Sequence, residues 1–249
     1  MIELYYDFHI HSCLSPCGDD EMTPQNIVAM AALAGYNVIA IADHNSTRNC
    51  KAAMEAAKQM GLLVIPAMEL TTSEEVHVLC LLPNLDMAEQ FDQYVYAKLP
   101  NIQNRPDIFG KQLYVDAQGR VTGEEDKLLI SATSIGIYEV YDLMKSCGGT
   151  AIPAHIDRSS FSLISNLGFY DDAMQFPAVE FSANCDSRAF KQTHNIFLPH
   201  IVNSDAHTLE QIPDAKNKIR VSSLCAKEVI RAIENNIENK KKISVFLTN

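Results

Sequence analysis

Asp7, His9 and His11 stand at every second position of the stretch DFHIHS. Successive side chains of a strand point to opposite faces, so these three are expected to share one face and Tyr6, Phe8 and Ile10 the other. The apolar face can pack against helices. The polar face must look into a place that tolerates two imidazoles and a carboxylate. Neutral imidazole is a common ligand for zinc, iron and manganese-type ions, which makes a metal site the first chemistry to consider. A hydrogen-bonded pair of surface His is the plain alternative for an isolated His-x-His. The rest of the chain weighs against that alternative, because Asp43-His44, Glu69, His77, His155 and the Asp205 and His207 of SDAH add more residues of the same kind.

These residues have to be positioned by elements far apart in the chain. Residues 2–10 read as a strand. Thr23-Pro24 supplies an N-cap and an N1 proline for a helix ending at Gly35. NVIAIA (37–42) is a buried strand. Ser46 or Thr47 is expected to cap a second helix that runs to Gly61. Strands follow at 62–67 and 76–82, and a helix at 85–98. KQLYVDAQGRVTG, within the less regular 99–133, resembles a hairpin. A helix at 135–147, short strands at 150–155, 178–183 and 200–205, and a closing helix at 224–239 complete the series. Helices between short buried strands imply an α/β fold with a mainly parallel sheet. Seven or so such strands in 249 residues fit a closed barrel, which carries its reactive residues at the strand ends. His9, His11, Asp43, His44, Glu69, His77, His155, Asp205 and His207 all fall in or just after such strands. His194 and His200 fit no such pattern and read as ordinary hydrogen-bonding residues. Ligands in this number exceed what one ion takes, so a site of two or three metals follows.

Composition narrows the class. The apolar fraction of 47% allows a substantial core. The seven Cys are scattered without a CxxC pair, consistent with reduced thiols. The first residues carry no signal-peptide pattern and no apolar run is long enough for a bilayer, so a cytoplasmic location and no membrane partner are expected. Net charge is −11, and the basic run Lys240–Lys242 reads as a solvated surface. Duplex nucleic acid is therefore disfavoured as a partner and a small substrate favoured, although bound cations would reverse the local sign.

DFHIHS, ADHN, the Glu of AMEL followed by HVL, PAH and SDAH occur in that order from residue 7 to about 207. This series resembles the PHP (polymerase and histidinol phosphatase) family. The resemblance implies a distorted, TIM-like (βα)7 barrel, here one domain over 1–249 with an insertion around 99–133. It also implies hydrolysis of phosphate esters by a hydroxide bridging divalent metals. Residue by residue, it implies one ion on His9, His11 and Asp205, and a second on His77 and His155, with Glu69 bridging the two. A third would sit on His44 and His207, with one ligand from the loop SCLSPCGDDEMTP. Many relatives carry a His six residues after the second His, or an Asp. Here the choice falls between Cys17 and Asp19, and Asp19 is preferred. A thiolate would favour zinc or iron, a carboxylate manganese or magnesium.

Arg158 is the candidate phosphate-binding residue, because its guanidinium suits bidentate phosphate contact. Asp43 is a candidate catalytic residue, and fixing an imidazole is its other reading. Asp7 is expected to act behind the ligands, and Glu180 either approaches the rim or serves the structure. The implied activity is that of a phosphoesterase on a small phosphorylated substrate such as a nucleotide or sugar phosphate, with two or three zinc, manganese or iron ions. An amidohydrolase-like enzyme of C–N or ester bonds is the alternative, although no Lys sits where that class carries a bridging lysine. A non-catalytic metal-binding module is a third reading.

Overall fold

A computed structural model describes residues 1–235 of the chain. β1 (Ile2–Ile10) departs at once from simple alternation. Tyr6 and Phe8 stack with ring centroids 4.4 Å apart and pack with Val38 and Ala40. Ile10 instead packs with Ile39 and Ile41. The register against the next strand shifts between Asp7 and Ile10. A bulge of this kind changes which face the following side chains take. The expectation that Tyr6, Phe8 and Ile10 share one face is therefore corrected. Asp7 does not join the two imidazoles either. Its buried carboxylate accepts the backbone N–H groups of His9 at 3.2 Å and Ser204 at 3.3 Å.

α1 (Pro24–Leu33) begins where Thr23 Oγ1 accepts the Asn26 N–H at 3.3 Å. It leads into β2 (Val38–Ile41), whose residues are all buried. α2 (Cys50–Ala57) starts later than the sequence indicates. Ser46 and Thr47 do not cap it: the Ser46 hydroxyl and the Thr47 N–H both donate to Asp92 Oδ1, at 2.8 and 2.7 Å. β3 (Leu63–Thr71) and β4 (His77–Leu81) are joined by a tight turn and run antiparallel. α3 (Leu85–Lys98), α4 (Pro106–Phe109) and the hairpin of β5 (Leu113–Val115) and β6 (Val121–Glu124) follow. Asn49 ties that hairpin to the barrel, donating to the Leu113 carbonyl at 3.0 Å and accepting the Val115 N–H at 3.1 Å.

α5 (Ile137–Ser146), β7 (Thr150–Pro153), α6 (Leu163–Leu167), β8 (Val179–Ser182), α7 (Ser187–Thr193), β9 (His200–Asn203) and β10 (Lys218–Val221) complete the named elements. Residues 226–235 are helical. The rest of the expected 224–239 helix and the run Lys240–Lys242 lie outside the described residues.

The strands form a distorted barrel. One sheet has the order β10-β1-β2-β3-β4-β7, and β8 pairs with β9 separately. Backbone bonds close the ring at both gaps. The Ile156 N–H donates to the Glu180 carbonyl at 2.9 Å, and the His11 N–H to the Ala206 carbonyl at 3.0 Å. β1, β2 and β3 are mutually parallel, as are β8 and β9. β4 is antiparallel to both neighbours. Its first residue, His77, therefore reaches the rim that the other strands reach with their last. β10, absent from the sequence reading, lies outside the ring, antiparallel to β1. The interior holds Phe8, Ile65, Leu79 and Ile152 against Val229 and Ile233, while α1 and α2 cover Ile39 and Ile41 from outside. Burying such side chains contributes about 1.5–3 kcal/mol each, which allows the rim to carry polar groups that do not pack well.

Candidate metal centre

The rim gathers six imidazoles, five of them around one carboxylate. Glu69 Oε1 lies 3.0 Å from His77 Nδ1, 3.0 Å from His155 Nε2 and 3.3 Å from His9 Nε2. Glu69 Oε2 lies 3.0 Å from His44 Nδ1 and 3.3 Å from His11 Nε2. Asp205 Oδ1 lies 3.0 Å from His11 Nε2 and 3.4 Å from His9 Nε2. The His207 ring stacks on that of His11 with centroids 4.2 Å apart. Three sets of donor atoms lie within 4.8 Å of one another: His9, His11 and Asp205; His44, Glu69 and His77; and His11, His44 and His207.

These residues are placed at some backbone cost. His155 and Asp205, just after β7 and β9, have φ of +28° and +51°, and Asn45 beside His44 has +48°. Each such residue in the left-handed region costs about 1–3 kcal/mol and persists where surrounding contacts over-determine it. Asn45 shows such contacts: its Nδ2 donates to the Leu129 carbonyl at 2.7 Å and its Oδ1 accepts the Thr71 N–H at 2.9 Å.

A supporting shell fixes the rings. Glu180 is buried, and its Oε1 accepts from His9 Nδ1 at 3.0 Å, which turns Nε2 toward the cluster. Its Oε2 accepts from Asn203 Nδ2 at 2.7 Å. His11 Nδ1 bonds the Ser15 hydroxyl at 2.8 Å, and that hydroxyl donates to Asp43 Oδ1 at 2.7 Å. Asp43 also accepts from the Ser12 N–H at 2.7 Å and the Ser12 hydroxyl at 2.6 Å. Asp43 thus bonds Ser12 and Ser15 and orients His11 through Ser15, which favours the reading that it fixes an imidazole over a catalytic role. Ser12, Ser15 and Asn203 were not legible as site residues. Their placement depends on loop conformation and carries no spacing signal. Because such outer partners typically contribute 10- to 100-fold in metal affinity, Glu180→Gln is expected to weaken metal binding by about that factor. Competition with a chromogenic chelator measures this, and unchanged affinity would remove Glu180 from the account.

The loop after β1 sets the Cys17 thiol beside the imidazoles of His44 and His207. The Asp19 carboxylate is exposed and accepts the Glu21 N–H at 2.8 Å. That turn directs the Asp19 carboxylate to its own backbone, which counts against its expected use as a ligand. Cys17 as a residue is exposed, like Asp19. Burial of the thiol by itself would raise it, but the imidazoles of His44 and His207 more than offset this and bring it down to about 5. Arg158 stands at the mouth, 44% exposed, with Nη1 2.7 Å from Asp205 Oδ2. His200, at the start of β9, bonds the Ser187 hydroxyl at 3.3 Å, and His194 packs on Phe190. Neither enters the cluster.

The cluster fits divalent cations. Burial by itself would raise Glu69, but His77, His9 and His44 offset it and hold the carboxyl well below its ordinary value. Burial pushes His77 down to about 4, only partly opposed by Glu69. Two ring nitrogens, of His9 and His11, face each other at 3.1 Å. Asp205 Oδ1 and His44 Nδ1 are buried without a hydrogen-bond partner. A buried polar atom left unpaired is costly. Converging imidazole nitrogens and carboxylate oxygens are the ligand set that zinc, manganese and iron accept.

The model of the PHP domain family matches residues 7–146, more than half of the chain. The chain belongs to the PHP domain family. PHP proteins are metal-dependent hydrolases, in keeping with the donor clusters on the rim. The chain is 34% identical over 79 residues to a 5'-3' exoribonuclease of Haemophilus influenzae, covering 30% of this chain and 28% of that protein. It superposes on the lesion-specific endonuclease EndoQ of Pyrococcus furiosus with a TM-score of 0.67 and 20% identity, covering 94% of this chain and 56% of that one. A metal-dependent phosphoesterase assigned in Bifidobacterium adolescentis superposes with a TM-score of 0.54 and 20% identity, over 93% and 96% of the two chains. The chain thus spans less than a third of the exoribonuclease and little more than half of EndoQ.

The expectation of a small phosphorylated substrate with duplex nucleic acid disfavoured is overturned by these relatives. One of them is an exoribonuclease, and an Endonuclease Q has been crystallised with a 27-mer duplex bearing an abasic lesion at its active site. The physical reason is that a net charge of −11 sums the whole surface, whereas a substrate phosphate would meet the local field of cations held at the rim. No helix among the described residues is long and apolar enough to cross a membrane.

Proposed function

We propose that this PHP protein hydrolyses phosphodiester bonds of nucleic acid, using two or three divalent cations. His9, His11 and Asp205 would hold one, and Glu69 with His77 and His155 a second. His44 and His207 would take a third together with Cys17. The observation that carries this reading is the convergence of five imidazoles on the single carboxylate of Glu69. A hydrogen-bonded core has no use for so many facing nitrogens. The relatives that act on RNA and DNA support the substrate class. A thiolate from Cys17 favours zinc or iron at the third position.

Bound divalent cations supply a water of lowered pKa and positive charge against the phosphoryl oxygens. The chain's own residues orient that chemistry. Glu180 and the Asp43–Ser15 pair fix the ring planes of His9 and His11. Arg158 is held at the mouth by Asp205 and presents N–H donors to a phosphate, where they offset charge that grows on its oxygens.

The test is a cleavage assay on single-stranded RNA, single-stranded DNA and a duplex with an abasic site. Each is run with added Mn²⁺ or Zn²⁺ and with EDTA, beside a carboxylic ester that contains no phosphorus. Metal-dependent cleavage of a nucleic acid is expected. Turnover of the carboxylic ester alone would replace this reading with an amidohydrolase-like one, and a metal-loaded protein inert on every substrate would make it a binding module. For the loop ligand, Cys17→Ser is expected to lower metal content by about one ion, whereas Asp19→Ala leaves it unchanged. The reverse pattern in elemental analysis would restore Asp19.

A further inference from the structure

Phe161 lies in the loop between β7 and α6, six residues after His155. Its φ is +52°, a conformation that a bulky aromatic residue rarely adopts. The loop locks it there. The Phe161 carbonyl accepts the His77 N–H at 2.9 Å, and the Arg158 N–H donates to the His155 carbonyl at 2.9 Å. The Ser162 hydroxyl donates to the Arg158 carbonyl at 2.7 Å. The ring stacks on the imidazole of His77, with centroids 4.9 Å apart and planes 15° from parallel. Even so, Phe161 remains 45% exposed and belongs to none of the apolar core clusters among the described residues. Core packing therefore does not account for the strain. Strained residues of this kind cluster at ligand clamps.

We propose that Phe161 is a stacking platform for a nucleobase beside the phosphodiester that is cut. The inference rests on the nucleic-acid reading above. One face of the ring is taken by His77 at the cluster, and the exposed remainder is open to a substrate. Arg158, three residues earlier on the same locked loop, provides the phosphate contact. Phosphate and base are then bound by one rigid segment that loses little freedom when the substrate arrives. Every base offers a π face, so the platform tolerates sequence while requiring a base. Phe161 acts as a positioning residue: it touches the substrate away from the reacting atoms.

The chain contains no Trp, so Phe161→Trp installs a single tryptophan at the platform, which is excited selectively over the tyrosines. The metal-loaded full chain is mixed rapidly with an oligothymidylate or with an abasic strand of equal length. The emission is expected to be quenched by the first and not by the second. In steady state, Phe161→Ala and Phe161→Leu are expected to lower kcat/KM for the base-containing strand about 10-fold relative to the abasic strand, mostly through KM. Phe161→Trp is expected to restore it. Equal losses on both strands would make Phe161 a structural support of His77, and unchanged kcat/KM on both strands would leave it no role; either result overturns the inference. If the unsubstituted protein cuts neither strand, nor any other nucleic acid, the nucleic-acid reading itself falls and takes the platform with it.

Discussion

Glu69→Gln is expected to reduce turnover by about 100- to 1000-fold or more and to lower metal occupancy at the same time. Glu69 is 1% exposed, and its two oxygens lie within 3.3 Å of nitrogens from His9, His11, His44, His77 and His155. No other carboxylate described meets so many of them, so no neighbour can replace it as a bridge. Gln keeps the volume and one acceptor oxygen but removes the negative charge and turns an N–H₂ group toward imidazole nitrogens. Breaking a buried charge pair also destabilises the fold, by about 3–5 kcal/mol in well-paired cases. The activity measurement is therefore read beside a thermal unfolding curve taken at a temperature where the variant is still folded. Activity retained within a fewfold, in a folded variant with full metal content, would remove Glu69 from the centre of the site.

His9→Ala combined with His11→Ala is expected to remove most bound metal and to abolish detectable turnover. His11 belongs to two of the three donor groups and His9 to one, so the pair reaches two groups directly. Both rings are fully buried, and their loss leaves Asp205 and Glu69 facing a void, with metal affinity the first property to fall. Elemental analysis after dialysis measures the effect. Unchanged metal content would show that the ions bind elsewhere, whatever happened to turnover. The two variants probe different things: Glu69→Gln removes the bridge and keeps the imidazoles, whereas the double variant removes imidazoles and keeps the bridge.

Much of this centre was legible because its residues are chemically unusual at strand ends. His44 after NVIAIA and Asp205 in SDAH need no structure to attract notice, since an imidazole or carboxylate directly after an apolar run has few bland uses. The barrel was legible for the same reason, through short β-branched strands spaced by helices. What escaped depended on local geometry. The bulge in β1 separates Asp7 from His9 and His11, and no composition rule marks it. The loop conformation that sets the Cys17 thiol beside His44 and His207 and turns Asp19 to its own backbone could not be chosen by counting from either end. Ser46 and Thr47 look like caps, yet tertiary contact with Asp92 wins over local propensity. β10 is short and carries two charged residues among its four, so it lacks the pattern of a buried strand. The choice of a small substrate failed for a different reason. Net charge is a property of the whole molecule, and cations held at the rim would set the site's sign without being counted in the sequence.

The most direct measurement is a crystal structure of the metal-loaded protein with anomalous differences collected on both sides of the zinc, iron and manganese edges. The account predicts two or three peaks inside the ring of His9, His11, His44, Glu69, His77, His155, Asp205 and His207, the third within bonding distance of Cys17. An empty ring in a protein that carries stoichiometric metal elsewhere would contradict it.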